Sequence, residues 1–257
     1  MSLIIHTIVP GGIIVSADTR TTCKDGKGNV RYDDTAEKII PFPNNVVVSH
    51  CGDSQITNDL SVIQFLYDLR KAKGKIATIN DLPLTLLNEY KNKGGVNSTI
   101  FKISGYMDFG ISACTYTVNT EDSTIKLSTG YNNYGASYNG ITPIAHSIMN
   151  SGIDYDNLSL KEAISLTQLC VQANIEIYKY HAAQSIGGKC QTYVIDRLHR
   201  KLGWYQPDGT LMMDEDAPPD ALEKYRREQQ EKQYKNYLKE RKRRKANENH
   251  RNENQGI

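Results

Sequence analysis

No stretch of this 257-residue sequence approaches the roughly 18–20 apolar residues of a helical membrane span, which argues against a membrane-embedded chain. No basic leader with a small-residue cleavage site opens it; the first apolar run, Leu3 to Val9, is short and contains His6 and Thr7. Both absences point to a cytoplasmic location. The five cysteines, Cys23, Cys51, Cys114, Cys170 and Cys190, are odd in number, widely spaced and include no C-x-x-C pair. That argues against a disulfide framework or structural zinc. The adjacent pair His50-Cys51 is too little for a metal site, so no metal and no cofactor are assigned. No G-x-x-x-x-G-K-[ST] run occurs, which excludes a P-loop ATPase. There is no fixed-period repeat. A net charge of +2 gives no body-wide basic surface for nucleic acid.

What is present is an ordinary globular composition, 39% hydrophobic and 23% charged, with one charge asymmetry. Residues 220–257 hold 12 Lys+Arg and 7 Asp+Glu, a local excess of +5 that leaves the remainder at −3. Pro218-Pro219 marks the boundary. The sequence thus divides into a folded domain, 1–217, and a charged tail, 218–257, helical or disordered, with a basic run at Arg241-Lys-Arg-Arg-Lys245. A solvated tail is the simpler reading of that run, and nucleic-acid binding is left open only there.

Periodicity sets out the domain. Leu3–Val9 and Ile13–Ala17 read as a β-hairpin around Pro10-Gly-Gly12. Glu37–Phe42 and Val46–Ser49 read as a second hairpin turning at Pro43-Asn-Asn45. From Ser54 to Lys73 the apolar spacing becomes helical, and a second helix follows from Asp81, a candidate N-cap, with Pro83 in its first turn. Strands return over Thr99–Ile103, Phe109–Thr117 and Thr124–Leu127. Ile141–Met149 and Leu160–Tyr180 read as helices, the latter opened by a Ser159/Glu162 capping box. Cys190–Ile195 and Lys201–Trp204 close the domain as strands. Short turns between consecutive strands imply mostly antiparallel sheets. The order predicts an α+β fold in which two sheets lie between two helical layers.

The chemistry concentrates at the start. Methionine is trimmed when a small residue follows, so Ser2 is expected to carry a free α-amine, which titrates near 7.7–8.0 when unperturbed. Such an amine can serve as general base for its own hydroxyl. Three segments extend the pattern. Gly11-Gly-Ile-Ile-Val-Ser-Ala-Asp-Thr-Arg20 is a glycine turn, an apolar strand and an Asp-Thr-Arg motif. Ala36-Glu-Lys-Ile-Ile40 carries Lys38. Val48-Ser-His-Cys-Gly-Asp53 carries Gly52. Asp18 lies 16 residues after Ser2, and Gly52 lies 14 after Lys38. In motif and spacing this resembles the proteasome β-subunit and HslV family of N-terminal-nucleophile hydrolases, and in length the bacterial Anbu-type homologues. The specific motifs span residues 2–54, and element order carries the likeness to about Trp204. A few extra residues fall between Asp18 and Lys38.

The resemblance implies a four-layer αββα sandwich and a threonine-protease-type mechanism with serine as the nucleophile. Ser2 would attack, Lys38 would lower the pKa of its hydroxyl, and Asp18 would pair with Lys38. The Gly52 N–H would face the oxyanion. Thr22 would hold an extended substrate as an added strand, and His50, with Ala36 and Ser54 beside it, would floor a moderately polar side-chain pocket. Ser137 and Ser185 would poise the amine. The family's aspartate before its glycine pair has no counterpart in His181-Ala-Ala-Gln-Ser-Ile-Gly-Gly188. Also implied are a polypeptide substrate, a homo-oligomeric ring and an ATP-dependent unfoldase partner. Two alternatives stand beside this: a non-peptidase amidohydrolase, and an inactive ring subunit.

Overall fold

In a computed structural model of the chain, Leu3–Val9 forms strand β1 and Gly12–Asp18 forms β2, and every residue of both is buried. A strand covered on both faces needs no polar alternation, which is why β1 reads as a nearly continuous apolar run. The structure describes residues 2–24, 30–73, 78–107, 112–130, 133–141, 143–181, 184–197, 201–205 and 211–212. All belong to the unit Met1–Met213; the tail expected from 218 onward lies outside the described residues.

After β2 come β3 (Thr21–Lys24), β4 (Val30–Asp33), β5 (Ile39–Phe42), β6 (Val46–Gly52), β7 (Gln55–Thr57) and β8 (Leu60–Ser61). Helices α1 (Val62–Lys73) and α2 (Leu82–Asn92) precede β9 (Thr99–Met107), β10 (Ser112–Asn119), β11 (Thr124–Gly130) and β12 (Gly135–Gly140). The chain continues through α3 (Pro143–Met149), α4 (Leu160–Tyr178), β13 (Cys190–Asp196), β14 (Lys201–Tyr205) and β15 (Leu211–Met212). One sheet has the order β12-β1-β2-β13-β14-β15, another β11-β10-β9-β6-β5, and β3-β4 and β7-β8 are separate two-stranded ribbons. The ladders between these strands are antiparallel, so the fold is α+β.

Four apolar clusters hold it together, the smallest joining Val9, Ile14 and Val194 to Ala163 and Ile164 of α4. Ile40, Val48 and Phe101 of the five-stranded sheet pack with Phe65, Leu66, Leu86 and Tyr90 of α1 and α2. Ile4, Ile13, Val15 and Tyr193 of the six-stranded sheet pack with Ile39, Val47 and Cys51 of the five-stranded one. Leu3 and Ile5 pack with Met149 of α3 and with Cys170, Val171 and Ile175 of α4. Alternate residues of β1 therefore face opposite sides, Ile4 and Ile8 toward the other sheet and Leu3, Ile5 and Val9 toward the helices, as the two-residue period of a strand requires.

Both predicted hairpins form, and the β5–β6 turn places Asn44 and Asn45 at φ 63° and 56°, which asparagine tolerates. The capping box forms, with the Glu162 N–H donating to the Ser159 hydroxyl and the Glu162 carboxylate accepting from the Ser159 N–H. Elsewhere the structure corrects the reading. The helix expected from Ser54 begins only at Val62, because Thr57-Asn-Asp-Leu60 turns the chain into the β7–β8 ribbon. Ser61 then accepts the Gln64 N–H at 3.1 Å, as an N-cap does. Asp81 does not cap α2; its carboxylate accepts the Thr78 hydroxyl at 2.7 Å instead. Strand β12, Gly-Ala-Ser-Tyr-Asn-Gly, has too little strand propensity to be read from sequence and forms because it pairs with β1 over Leu3–Ile8.

Candidate active site

Ser2 lies at the entrance to β1, 6% exposed. Its carbonyl accepts the Ile141 N–H at 3.0 Å, continuing the β1–β12 ladder. Gly140, at φ +103°, packs so closely on that carbonyl that a Cβ would collide with it. The backbone at Ser2 is thus fixed from the β12 side.

From the other side, Asp18 ends β2 with no exposed surface and receives four donors. Oδ1 accepts the Leu3 N–H at 2.9 Å and the Lys38 ammonium at 2.8 Å, while Oδ2 accepts the N–H groups of Gly187 at 3.1 Å and Arg20 at 3.2 Å. One carboxylate oxygen therefore links the residue after Ser2 to Lys38. Lys38 is 2% exposed and also donates to the Arg20 carbonyl at 2.6 Å. Burial pushes its pKa below the ordinary lysine value, and the Asp18 charge opposes that. Arg20 makes two bonds to Asp34, at 2.6 and 2.7 Å, donates to the Gln184 carbonyl at 3.1 Å, and lies over the Tyr32 ring. The Asp-Thr-Arg turn is thereby tied both to the residues before β5 and to the 184–187 segment.

Gly52 ends β6, paired with Thr99, at φ +104°; a Cβ there would stand 2.5 Å from the Ser98 carbonyl oxygen. A side chain at this position is excluded by both conformation and space. His50 is buried, its N–H bonds the Lys38 carbonyl at 3.1 Å, and its Nε2 lies 3.4 Å from the Glu37 carbonyl. Burial first, and then the Lys38 charge, lowers its pKa to about 4, so its ring is neutral at pH 7. Ala36 and Ser54 are half-buried. Ala36 bonds Thr19 through its N–H, and the Ser54 carbonyl receives the first N–H of α1. Thr22 pairs with Tyr32 in the β3–β4 ribbon, and no third strand joins that ribbon among the described residues. The Thr22 hydroxyl is buried without a partner, and so is that of Ser185.

The two serines expected to poise an amine are separated. Ser185 is 3% exposed, two residues from the Gly187 N–H that binds Asp18. Ser137 stands opposite His6, four positions along β1 from Ser2, and its hydroxyl is bonded by the Lys102 ammonium. At about 3.3 Å per strand residue, that position is well beyond hydrogen-bond reach of Ser2. Asn139 and Gly140 are the β12 residues beside the start of β1. Nothing in the residue pattern singles out Lys102 or Gln191, whose side chain bonds the Ala36 carbonyl and the Lys38 N–H. Each contact joins residues far apart in the chain, and neither residue type carries a motif. Among the described residues no three His, Cys, Asp or Glu side chains converge to hold a metal ion.

No family model matches the sequence, and neither does any curated protein. Solved structures do match. A Gly-1 mutant of Anbu from Hyphomicrobium sp. strain MC1 superposes with a TM-score of 0.58 over 79% of this chain and 85% of that one, at 15% identity. At that identity the likeness is one of fold. This chain has the fold of Anbu, a bacterial proteasome-like N-terminal-nucleophile hydrolase.

Proposed function

We propose that the chain is a proteasome-type peptidase in which Ser2, freed by removal of Met1, is the nucleophile. The observation that carries this is the buried Asp18 carboxylate, one of whose oxygens is shared by the Leu3 N–H and the Lys38 ammonium. An interior ion pair costs desolvation. Here it stands next to a buried serine at the start of a strand, where a nucleophile with its own amine would be. The apolar clusters are read as the interfaces of a four-layer αββα sandwich.

In this reading the Ser2 α-amine takes the hydroxyl proton as Oγ attacks a peptide carbonyl. The Lys38 cation stabilises the forming alkoxide, and Asp18 holds Lys38 in place. The Gly52 N–H receives the oxyanion, a donor of a kind worth about 2.7–4 kcal/mol. The amine returns its proton to the leaving nitrogen, and water then hydrolyses the ester on Ser2. The unpaired side of the β3–β4 ribbon at Thr22 suits an extended substrate added as a strand. Neutral His50, with Ala36 and Ser54, forms the side-chain pocket. Ser185, whose buried hydroxyl lacks a partner, is the better candidate to bond the amine. The natural substrate is an unfolded polypeptide, the assembly a homo-oligomeric ring in the cytoplasm, and an ATP-driven unfoldase the partner that feeds it.

The test is turnover of a panel of fluorogenic peptide amides by the full chain and by its Ser2→Ala variant. The reading expects the variant to lose about 10³-fold or more of kcat. Equal turnover by the two proteins would overturn it.

A further inference from the structure

Lys38 stands just before β5, which among the described residues is the edge strand of its sheet, paired with β6. The Lys38 carbonyl is bonded by the His50 N–H on the β6 side. Its own N–H is bonded by a side chain of the other sheet rather than by β6. Gln191 lies on β13, opposite Ala17 of β2. Its Nε2 donates to the Ala36 carbonyl at 3.0 Å and its Oε1 accepts the Lys38 N–H at 3.3 Å. A carbonyl can only accept and an N–H can only donate, so the two partners fix which end of the amide is which. One side chain thus bonds the backbone at both residue 36 and residue 38.

We propose that Gln191 is a positioning residue for Lys38, an amide clamp on the backbone of residues 36 and 38 that sets where the ammonium meets Asp18. The consequence for turnover rests on Lys38 acting in the reaction proposed above; the clamp itself does not. Without it the Lys38 N–H is a buried donor with no acceptor, and the Ala36 carbonyl loses its donor. The ammonium can then shift by a fraction of an ångström, which matters for a cation that must face a forming alkoxide.

Three measurements on the full chain decide the matter. In the unsubstituted protein, backbone hydrogen exchange at Lys38 is expected to be strongly slowed; exchange at the rate of a free peptide would overturn the clamp. In Gln191→Met, which keeps the length and removes both bonds, the Lys38 amide should lose protection. Its ammonium, followed by NMR, should titrate closer to the ordinary lysine value. Peptide-amide turnover should fall about 10-fold in kcat with KM nearly unchanged. Gln191→Glu, which keeps an acceptor and loses the donor to Ala36, should fall between the two. A folded Gln191→Met or Gln191→Glu protein with unchanged Lys38 titration and unchanged kcat would overturn the proposal. If the unsubstituted chain turns over no peptide at all, the peptidase reading fails, while exchange and titration still decide the clamp.

Discussion

At the residue scale the site is organised by Asp18. Its carboxylate answers three backbone N–H groups and one ammonium, so the two members of the ion pair are not equally dependent on each other. Lys38→Met leaves the carboxylate with its three N–H donors. Asp18→Asn leaves a buried ammonium with neutral oxygens only, its counter-charge gone, and turns an NH2 toward N–H groups that the carboxylate had accepted. Breaking a buried pair so as to strand a charge costs about 3–5 kcal/mol. Asp18→Asn should therefore destabilise by that amount and Lys38→Met by clearly less, as read from denaturant midpoints, with peptide hydrolysis lost in both. Equal midpoints would mean that the N–H donors contribute little. Asp18, Lys38 and Gly52 could be found in the sequence because each sits in a short segment of fixed spacing. Ser137 could not be placed correctly, because its position depends on the register of β12 against β1, and that strand has no sequence signature. Gln191 was invisible for a related reason: its role exists only once two sheets face each other.

At the element scale the two sheets are joined by more than apolar contact. His6 of β1 bonds Ser104 at 2.5 Å and Ser49 at 2.6 Å, and Ser104 bonds Thr115 at 2.6 Å. Lys102 of β9, 1% exposed, bonds Thr117 of β10 at 3.1 Å and reaches Ser137 of β12 in the other sheet. Its bonded partners are hydroxyls, and burial pushes its pKa down to about 8 from 10.5. Below pH 8 the ammonium is charged in both folded and unfolded chains, and the folded state carries the full cost of burying it. Between about 8 and 10.5 the folded chain releases the proton first, so stability rises with pH across that window. Lys102→Met should flatten this limb and raise stability at pH 7 by roughly 3 kcal/mol at most. An unchanged slope from pH 8 to 10.5 in the variant would refute the assignment. The elements themselves were legible where one period ran uninterrupted, as in β1, β2 and α4. They were missed where turn chemistry intervened, as at the Thr57-Asn-Asp-Leu60 turn ahead of α1.

At the scale of the whole molecule, the arrangement of sheets and helices matches a known solved structure far better than the sequence does, with 15% identity and a TM-score of 0.58. The motifs at residues 2–54 pointed to that fold because they are where backbone geometry is least negotiable: a buried carboxylate, a buried lysine and a glycine with no room for a side chain. The remainder is set by burial, which many sequences satisfy equally well. The central claim is chemical and concerns one atom, the Ser2 hydroxyl oxygen. It is tested most directly by intact-mass analysis of the purified protein, alone and after treatment with an electrophilic inhibitor that caps N-terminal nucleophiles. The account predicts a mass lacking Met1 and a single adduct that maps to Ser2. Retained Met1, or an adduct on any other residue, would contradict it.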